Sequence, residues 1–460
     1  MSPVKRMTLR QAVDYFRTVE DSSDESDSDP NEHDHQCTPA GDEETYRDTN
    51  NGEDSDGDVF VLDDNNDESD TTSDGSDDSE NEQQLGRHYV SPNGIEWMET
   101  RPAPRRLHRN ITNFVPGATI IPRNELESFL LLMDESILRT ILLHTNRRLR
   151  GLKRKCFTFC ELKAAIAIMI RAGTDKDNLS CLSSLFNEKD SRPFYRCCMS
   201  KNRFREFLRY VTFDNRNTRR SRQVLDKMAA IREVWELLQC NLRKHYVPSE
   251  WITVDEQLYA YRGYVPGRAY MKSKPAKYGV KVFWGCDAKN GYALAGELYS
   301  GKGNERNVGL AQKIVLSLTE FFQNSGRNIF IDRYFTNFDL CTKLLDRNLT
   351  MTGTIMPSRR DVPKDFVKEK DREVHSTVEL WEHEKRVMLL SYIPKKGKNV
   401  LMMSSMHLSA GVLHEREDKK PSVIVDYNHG KGGVDLLDSC IDDFTVKRKT
   451  NRYPLVIFLI

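Results

Sequence analysis

Two short apolar stretches carry an acid where a strand would be expected to stay apolar. NIFID (328–332) finishes on Asp332, and WITVD (251–255) reaches Asp255. Strands buried on both faces are usually apolar from end to end, and burying an unpaired carboxylate is costly. In an extended WITVD, residues 252 and 254 face one way while Thr253 and Asp255 face the other. If the two strands are neighbours in a sheet, Asp255 and Asp332 converge at one edge. A third acid from another element would complete a cluster that repels itself unless cations occupy it. Carboxylate oxygens suit Mg²⁺, and two such ions roughly 3.5–4 Å apart activate a nucleophile and stabilise the leaving oxygen in phosphodiester chemistry. NHGKGGVDLLD (428–438) offers the third member. Its glycines permit a sharp turn or a close approach, and a helix start follows. Asp435 and Asp438 share a helix face, so either could be the ligand. The competing reading of each acid alone is that it caps the next element or faces solvent.

The charge distribution points to the kind of substrate. The chain has 69 Lys/Arg and 69 Asp/Glu, a formal charge of zero. Residues 1–86 hold 27 acids against 5 bases, so residues 87–460 hold 42 acids against 64 bases. Such asymmetry between halves favours a nucleic-acid partner. Residues 1–86 are Asp/Glu/Ser-rich and predict a disordered acidic tail; residues 87–110 read as a basic, Pro-bearing linker. No run approaches the ~20 apolar residues needed to cross a bilayer, and the N-terminus lacks a signal-peptide pattern, so neither membrane nor secretion is expected. The ten cysteines have no zinc-finger spacing, so no zinc is expected and most should be reduced thiols.

The elements that must position the acids fall into two patterns. From 111 to 250 the periodicity is helical. Asn124/Glu127 and Thr158/Glu161 read as N-terminal caps, with Gly173 as a C-terminal stop. Phe204, Phe207, Leu208 and Val211 mark the apolar face of one helix, and Ile231, Val234, Trp235 and Leu238 that of another. Three basic stretches in this region are candidate phosphate contacts. They supply Arg147, Arg148, Arg150, Lys153 and Arg154; Lys201, Arg203, Arg205 and Arg209; and Arg219, Arg220 and Arg222. From 251 the pattern becomes mixed: three strands, a helix, the NIFID strand, a helix and the strand TMTGTIM. This is a mixed α/β sheet with helices packed against it, in the order an RNase H-like fold uses. Residues 359–421 read as an inserted β-rich subdomain, and VIVDYN (423–428) as a return to strand before a helix.

TVDEQL (253–258), KPAKYGVK (274–281), NIFIDRYFTN (328–337), YNHGKGGVDLLD (427–438) and KRKTNRYP (447–454) occur in the order and approximate spacing of piggyBac-type transposases, which this sequence resembles from about 111 onward. DKMAAIREVWE (226–236) belongs to the same register. The resemblance implies catalytic acids at Asp255, Asp332 and Asp435, with Asp438 as a fourth acidic position of the metal site. It implies an RNase H-like catalytic domain (251–358 and 422–444) split by the insertion (359–421). A helical dimerisation and DNA-binding domain (111–250) precedes it, and a second helical part begins at 445–460. Lys447, Arg448 and Lys449 join the candidate DNA contacts. The implied activity is Mg²⁺-dependent cut-and-paste transposition, with Mn²⁺ as a substitute, on double-stranded transposon ends and TTAA targets. The implied partner is DNA, with a homodimer and no small-molecule substrate, in the nucleus; RRLRGLKRK (147–155) would serve as an import signal. The alternative is a domesticated, catalytically inactive DNA- or chromatin-binding protein. Two substitutions depart from the family pattern: Arg333 stands where Asn is usual, and Tyr453 where Trp is usual. The family's Cys-rich zinc-binding module would follow Ile460, so the sequence reads as a shortened copy, an isoform or an incomplete chain, with the apolar LVIFLI (455–460) short of its usual cover.

Overall fold

The computed structural model describes residues 87–103, 115–272, 274–301, 309–367 and 372–460; the acidic tail lies outside the described residues. The strands are β1 (His88–Val90), β2 (Glu96–Met98), β3 (Gly117–Ala118), β4 (Tyr246–Val247), β5 (Trp251–Ala260), β6 (Ala269–Tyr270), β7 (Tyr278–Asp287), β8 (Ala293–Leu298), β9 (Asn328–Ile331), β10 (Thr350–Thr354), β11 (Thr377–Glu382), β12 (Val387–Lys395) and β13 (Lys398–Ser404). The helices used below are α1 (Glu125–Leu132), α2 (Glu135–Gly151), α3 (Phe159–Thr174), α4 (Leu182–Leu185), α5 (Pro193–Cys198), α6 (Lys201–Tyr210), α7 (Arg216–Arg222), α8 (Arg232–Lys244), α9 (Leu310–Leu318), α10 (Phe338–Leu345), α11 (Lys364–Val367), α12 (Ser422–Gly430), α13 (Gly433–Asp443) and α14 (Tyr453–Phe458).

The main sheet runs β1-β2-β11-β12-β13-β10-β9-β5-β7-β6, with β8 also on β7. Within it β8, β7 and β5 form an antiparallel meander, while β9 lies parallel to β5 and β10 parallel to β9. All four residues of β9 are buried because helices cover both faces. Ile329 and Ile331 pack with Leu340 and Leu344 of α10; Phe330, on the other face, packs with Val423 and Tyr427 of α12. The helical region makes its own core, in which Ile137, Ile168, Phe204 and Phe207 are fully buried or nearly so.

The expected caps form. Asn124 accepts from the Glu127 amide, and Thr158 and Glu161 complete a reciprocal capping box. Four expectations need correction. Gly173 does not stop α3, which runs on to Thr174; it lets residue 445 cross closely, since a Cβ there would sit 2.7 Å from the Thr445 carbonyl oxygen. VIVDYN is helical, within α12. Its β-branched residues favour a strand locally, but Val423, Ile424 and Tyr427 fall on one helix face and gain burial against the sheet. The inserted range is β-rich, carrying β11, β12 and β13, and its β13 pairs with β10 and so continues the central sheet. Residues 88–98 are not linker: β1 and β2 form a hairpin whose Met98 pairs with Trp381 of β11, and Trp97 is fully buried. Nor is the C-terminal run uncovered. Leu455, Val456, Ile457 and Leu459 are buried in the helical core, with Phe458 against Phe213 at 4.8 Å between ring centres.

Candidate active site

Parallel pairing of β5 and β9 sets Val254 opposite Ile331. The next residues, Asp255 and Asp332, therefore lie side by side along adjacent strands. Asp332 directly follows β9, whereas β5 continues past Asp255 to Ala260. One oxygen of Asp332, Oδ1, accepts the Tyr334 amide at 3.0 Å and the Phe335 amide at 3.4 Å. Its capping role is thus real, but it occupies only part of the carboxylate. Oδ1 of Asp255 accepts the Glu256 amide at 2.7 Å. Burial, then Glu256 and then Asp332, holds the Asp255 carboxyl well above its usual range. Burial, then Glu256, pushes Asp332 up to about 6. These are two half-buried carboxylates whose negative charge is under-compensated, the electrostatic state a divalent cation relieves.

Sequence reading passed over Glu256. Alternation puts it on the opposite face from Asp255, yet its charge acts on both acids; the signal was the doubled acid in TVDEQ. Glu256 is itself buried and pairs loosely with Lys281 at 3.9 Å.

Helix α13 lies along β5. Thr253 donates to the Gly430 carbonyl at 2.6 Å, and a Cβ on Gly433 would come within 2.6 Å of Thr253 Oγ1. Of the two glycines of KGGVD, Gly433 therefore serves close approach, whereas a side chain at Gly432 would meet nothing within 4 Å. Farther along, Gln257 donates to Asp438 at 2.7 Å and accepts from Trp284 Nε1 at 2.9 Å. Asp438 is thus tied to the sheet as a structural acceptor, and Asp435 is exposed in the first turn of α13. Among the described residues no group of three or more His, Cys, Asp or Glu side chains is arranged to hold a metal ion. The structure brings Asp255 and Asp332 together and leaves Asp435 and Asp438 outside that pair.

The basic residues divide in two. Arg203 binds Glu161 and Glu206 with its guanidinium 3.7 Å from the Phe157 ring centre. Arg219 and Arg222 both pair with buried Asp214. Arg148 donates to the carbonyls of Arg209 and Tyr210, Arg448 to Ser180 and Lys447 to Ala260; Arg147 reaches His144. These seven hold the fold together. Arg150, Lys153, Arg154, Lys201, Arg205, Arg209, Arg220 and Lys449 are exposed. Arg452, which the sequence reading did not single out, is half-buried and donates to the carbonyls of Leu208, Arg209 and Val211. Burial, and then Arg148, Arg216 and Arg219, pulls it down to about 10.

Residues 124–460 match the family described as Transposase IS4, and the chain belongs to that family. Its fold is similar to a piggyBac transposase in a synaptic complex with hairpin DNA, at 31% identity and a TM-score of 0.70 over 75% of this chain and 74% of that one. It is 24% identical over 341 residues to human PiggyBac transposable element-derived protein 2 and 25% identical over 248 residues to human PiggyBac transposable element-derived protein 3. These alignments cover 69% and 50% of this chain. They span 56% of the first relative and 41% of the second.

Proposed function

We propose that this chain is a piggyBac-like DNA transposase homologue that cleaves and joins DNA strands. The observation that carries the reading is the placement of Asp255 and Asp332 on adjacent parallel strands. The five-strand core β8-β7-β5-β9-β10, three antiparallel strands followed by two parallel ones, supports an RNase H-like catalytic domain. Asp255 and Asp332 fit a hard divalent cation, Mg²⁺ or Mn²⁺, as oxygen donors whose charge is under-compensated. Asp435, on the helix packed along β5, is the third acid of the proposed site. Asp255 and Asp332 would hold such a cation, which would supply Lewis-acid polarisation of a phosphodiester and activation of a hydroxyl nucleophile. The Asp332 turn fixes this carboxylate through two backbone amides that both use Oδ1. The exposed arginines and lysines of α2, α6 and α7 hold the DNA backbone, which sets register without reading sequence. TTAA targeting, dimerisation and nuclear residence belong to this proposal and rest on likeness to the family.

The second reading, a DNA- or chromatin-binding protein without catalysis, is favoured by the exposure of Asp435 and the tie between Asp438 and Gln257. Incubation of the full chain with transposon-end DNA and Mn²⁺ separates the two. Strand cleavage lost in Asp255→Ala establishes the first. Binding without cleavage establishes the second.

A further inference from the structure

The motif KPAKYGVK ends on Lys281, a cation that belongs neither to the acidic pair nor to the exposed basic surface. Antiparallel pairing of β5 with β7 sets Glu256 opposite Phe283 and Leu258 opposite Lys281. Lys281 and Phe283, two residues apart, share one face of the sheet, and Glu256 joins them there as a cross-strand neighbour. Asp255, one residue earlier, belongs to the other face. Phe283 shares a core with Val254, Ile331 and Leu340 of α10, so Glu256 lies on the side that α10 covers, behind the acids.

Glu256 is 6% exposed, and its Oε2 has no hydrogen-bond partner. Lys281 Nζ stands 3.9 Å from that oxygen, beyond hydrogen-bonding reach. The ammonium lies instead over two rings, 4.7 Å from the centre of Phe283 and 5.6 Å from that of Tyr334, where an aromatic face attracts a cation. Tyr334 supplies the amide that anchors Asp332 Oδ1. A line of contacts therefore joins Glu256 to Lys281, to Tyr334 and to the Asp332 turn. Leaving a buried carboxylate oxygen unbonded is costly, and charge is felt most strongly where water is excluded. After burial itself, Glu256 is the largest cause that raises the carboxyls of Asp255 and Asp332, and Lys281 opposes it at Asp332.

We propose that Glu256 and Lys281 are a positioning pair for the metal site: Glu256 sets a fixed negative charge behind the two ligands, and Lys281 balances it and steadies the Asp332 turn through Tyr334. Neither side chain touches the cation or DNA. The assignment rests on the reading of Asp255 and Asp332 as ligands. Two aspartates neutralise one divalent cation, and Lys281 neutralises Glu256, so removing either member of the pair leaves the loaded site with a net charge. One unit of charge in a protein interior shifts the binding of a divalent ion by about tenfold or more.

The test uses the full chain with Mn²⁺ as the probe, free Mn²⁺ being counted by electron paramagnetic resonance at pH 8. Glu256→Gln, which keeps the shape, should weaken Mn²⁺ binding about tenfold, and Lys281→Met should tighten it about tenfold. The double variant removes both charges and should return to within about threefold of wild type, the two effects opposing each other. Lys281→Arg keeps the charge and should stay within about threefold as well. If Lys281→Met unfolds by stranding Glu256, the double variant and Lys281→Arg still carry the comparison. A purely structural pair would lower the urea midpoint in chelator and leave Mn²⁺ affinity unchanged. That result, with Mn²⁺ binding still lost in Asp332→Asn, overturns the positioning role and leaves the ligand reading standing. Loss in Glu256→Gln as complete as in Asp332→Asn, with no recovery in the double variant, makes Glu256 a ligand and likewise overturns it. A folded wild-type chain that binds no Mn²⁺ overturns both.

Discussion

Replacing Asp332 with Asn removes a negative charge while keeping the Oδ1 acceptor that the Tyr334 and Phe335 amides use. The fold should tolerate it, and in the absence of metal it should benefit. The Asp332 carboxyl titrates near 6 instead of 3.8; at 1.36 kcal/mol per tenfold change in proton affinity, holding it ionised in the folded state costs about 3 kcal/mol. The sign follows from proton uptake. The folded state takes up a proton near pH 6, whereas the unfolded chain waits until about pH 4. Wild-type stability should therefore rise as pH falls from 7 towards 5, and Asp332→Asn should lack that rise. Urea unfolding in chelator at pH 8 should show the variant more stable, by up to about 3 kcal/mol. Adding Mn²⁺ or Mg²⁺ at about a hundred times its Kd should stabilise the wild type by ~2.7 kcal/mol and the variant far less. An Asp332→Asn protein that is less stable than wild type in chelator would refute the reasoning, because the carboxylate would then be a satisfied structural cap.

Further outcomes follow from the same geometry. Neutralising exposed Arg150, Lys153 and Lys201 should flatten the plot of log K for DNA against log salt by about 2–3, whereas Arg203→Ala should instead destabilise the fold by about 3 kcal/mol by stranding Glu161 and Glu206; titrations at several salt concentrations and urea unfolding separate the two effects. Trp97→Ala should cost about 3–5 kcal/mol and raise proteolysis of the β1–β2 hairpin, an effect a free linker would not show. His407 sits between Ser404 and Asp426, and burial lowers its pKa below the usual 6.5 despite Asp426. The unfolded chain then takes up its proton first, so stability should fall as pH drops below about 6.5, and His407→Gln should lessen that loss in thermal melts.

Much of the machinery was legible in the sequence because it is local chemistry. Caps at Asn124 and Thr158, the helix faces of α6 and α8, and the strand order from WITVD to TMTGTIM follow from periodicity and side-chain type. The closeness of Asp255 and Asp332 was legible only conditionally. Two acids at comparable strand positions meet if, and only if, their strands pair in that register, and pairing is a long-range choice that no local pattern encodes. Tertiary packing decided the rest. It turned VIVDYN from a locally favoured strand into a helix because burial against Phe330 outweighed propensity. It gave Gly173 a crossing segment to admit in place of a helix to end, and it made a sheet edge of a stretch whose composition reads as linker. It also sorted the cations. In sequence Arg203, Arg205, Arg219 and Arg220 are alike; in the fold Arg203 and Arg219 face carboxylates from the protein's own interior, while Arg205 and Arg220 face solvent. Composition fixes how much positive charge a chain carries, and only the folded arrangement of its partners decides which of it remains available to bind.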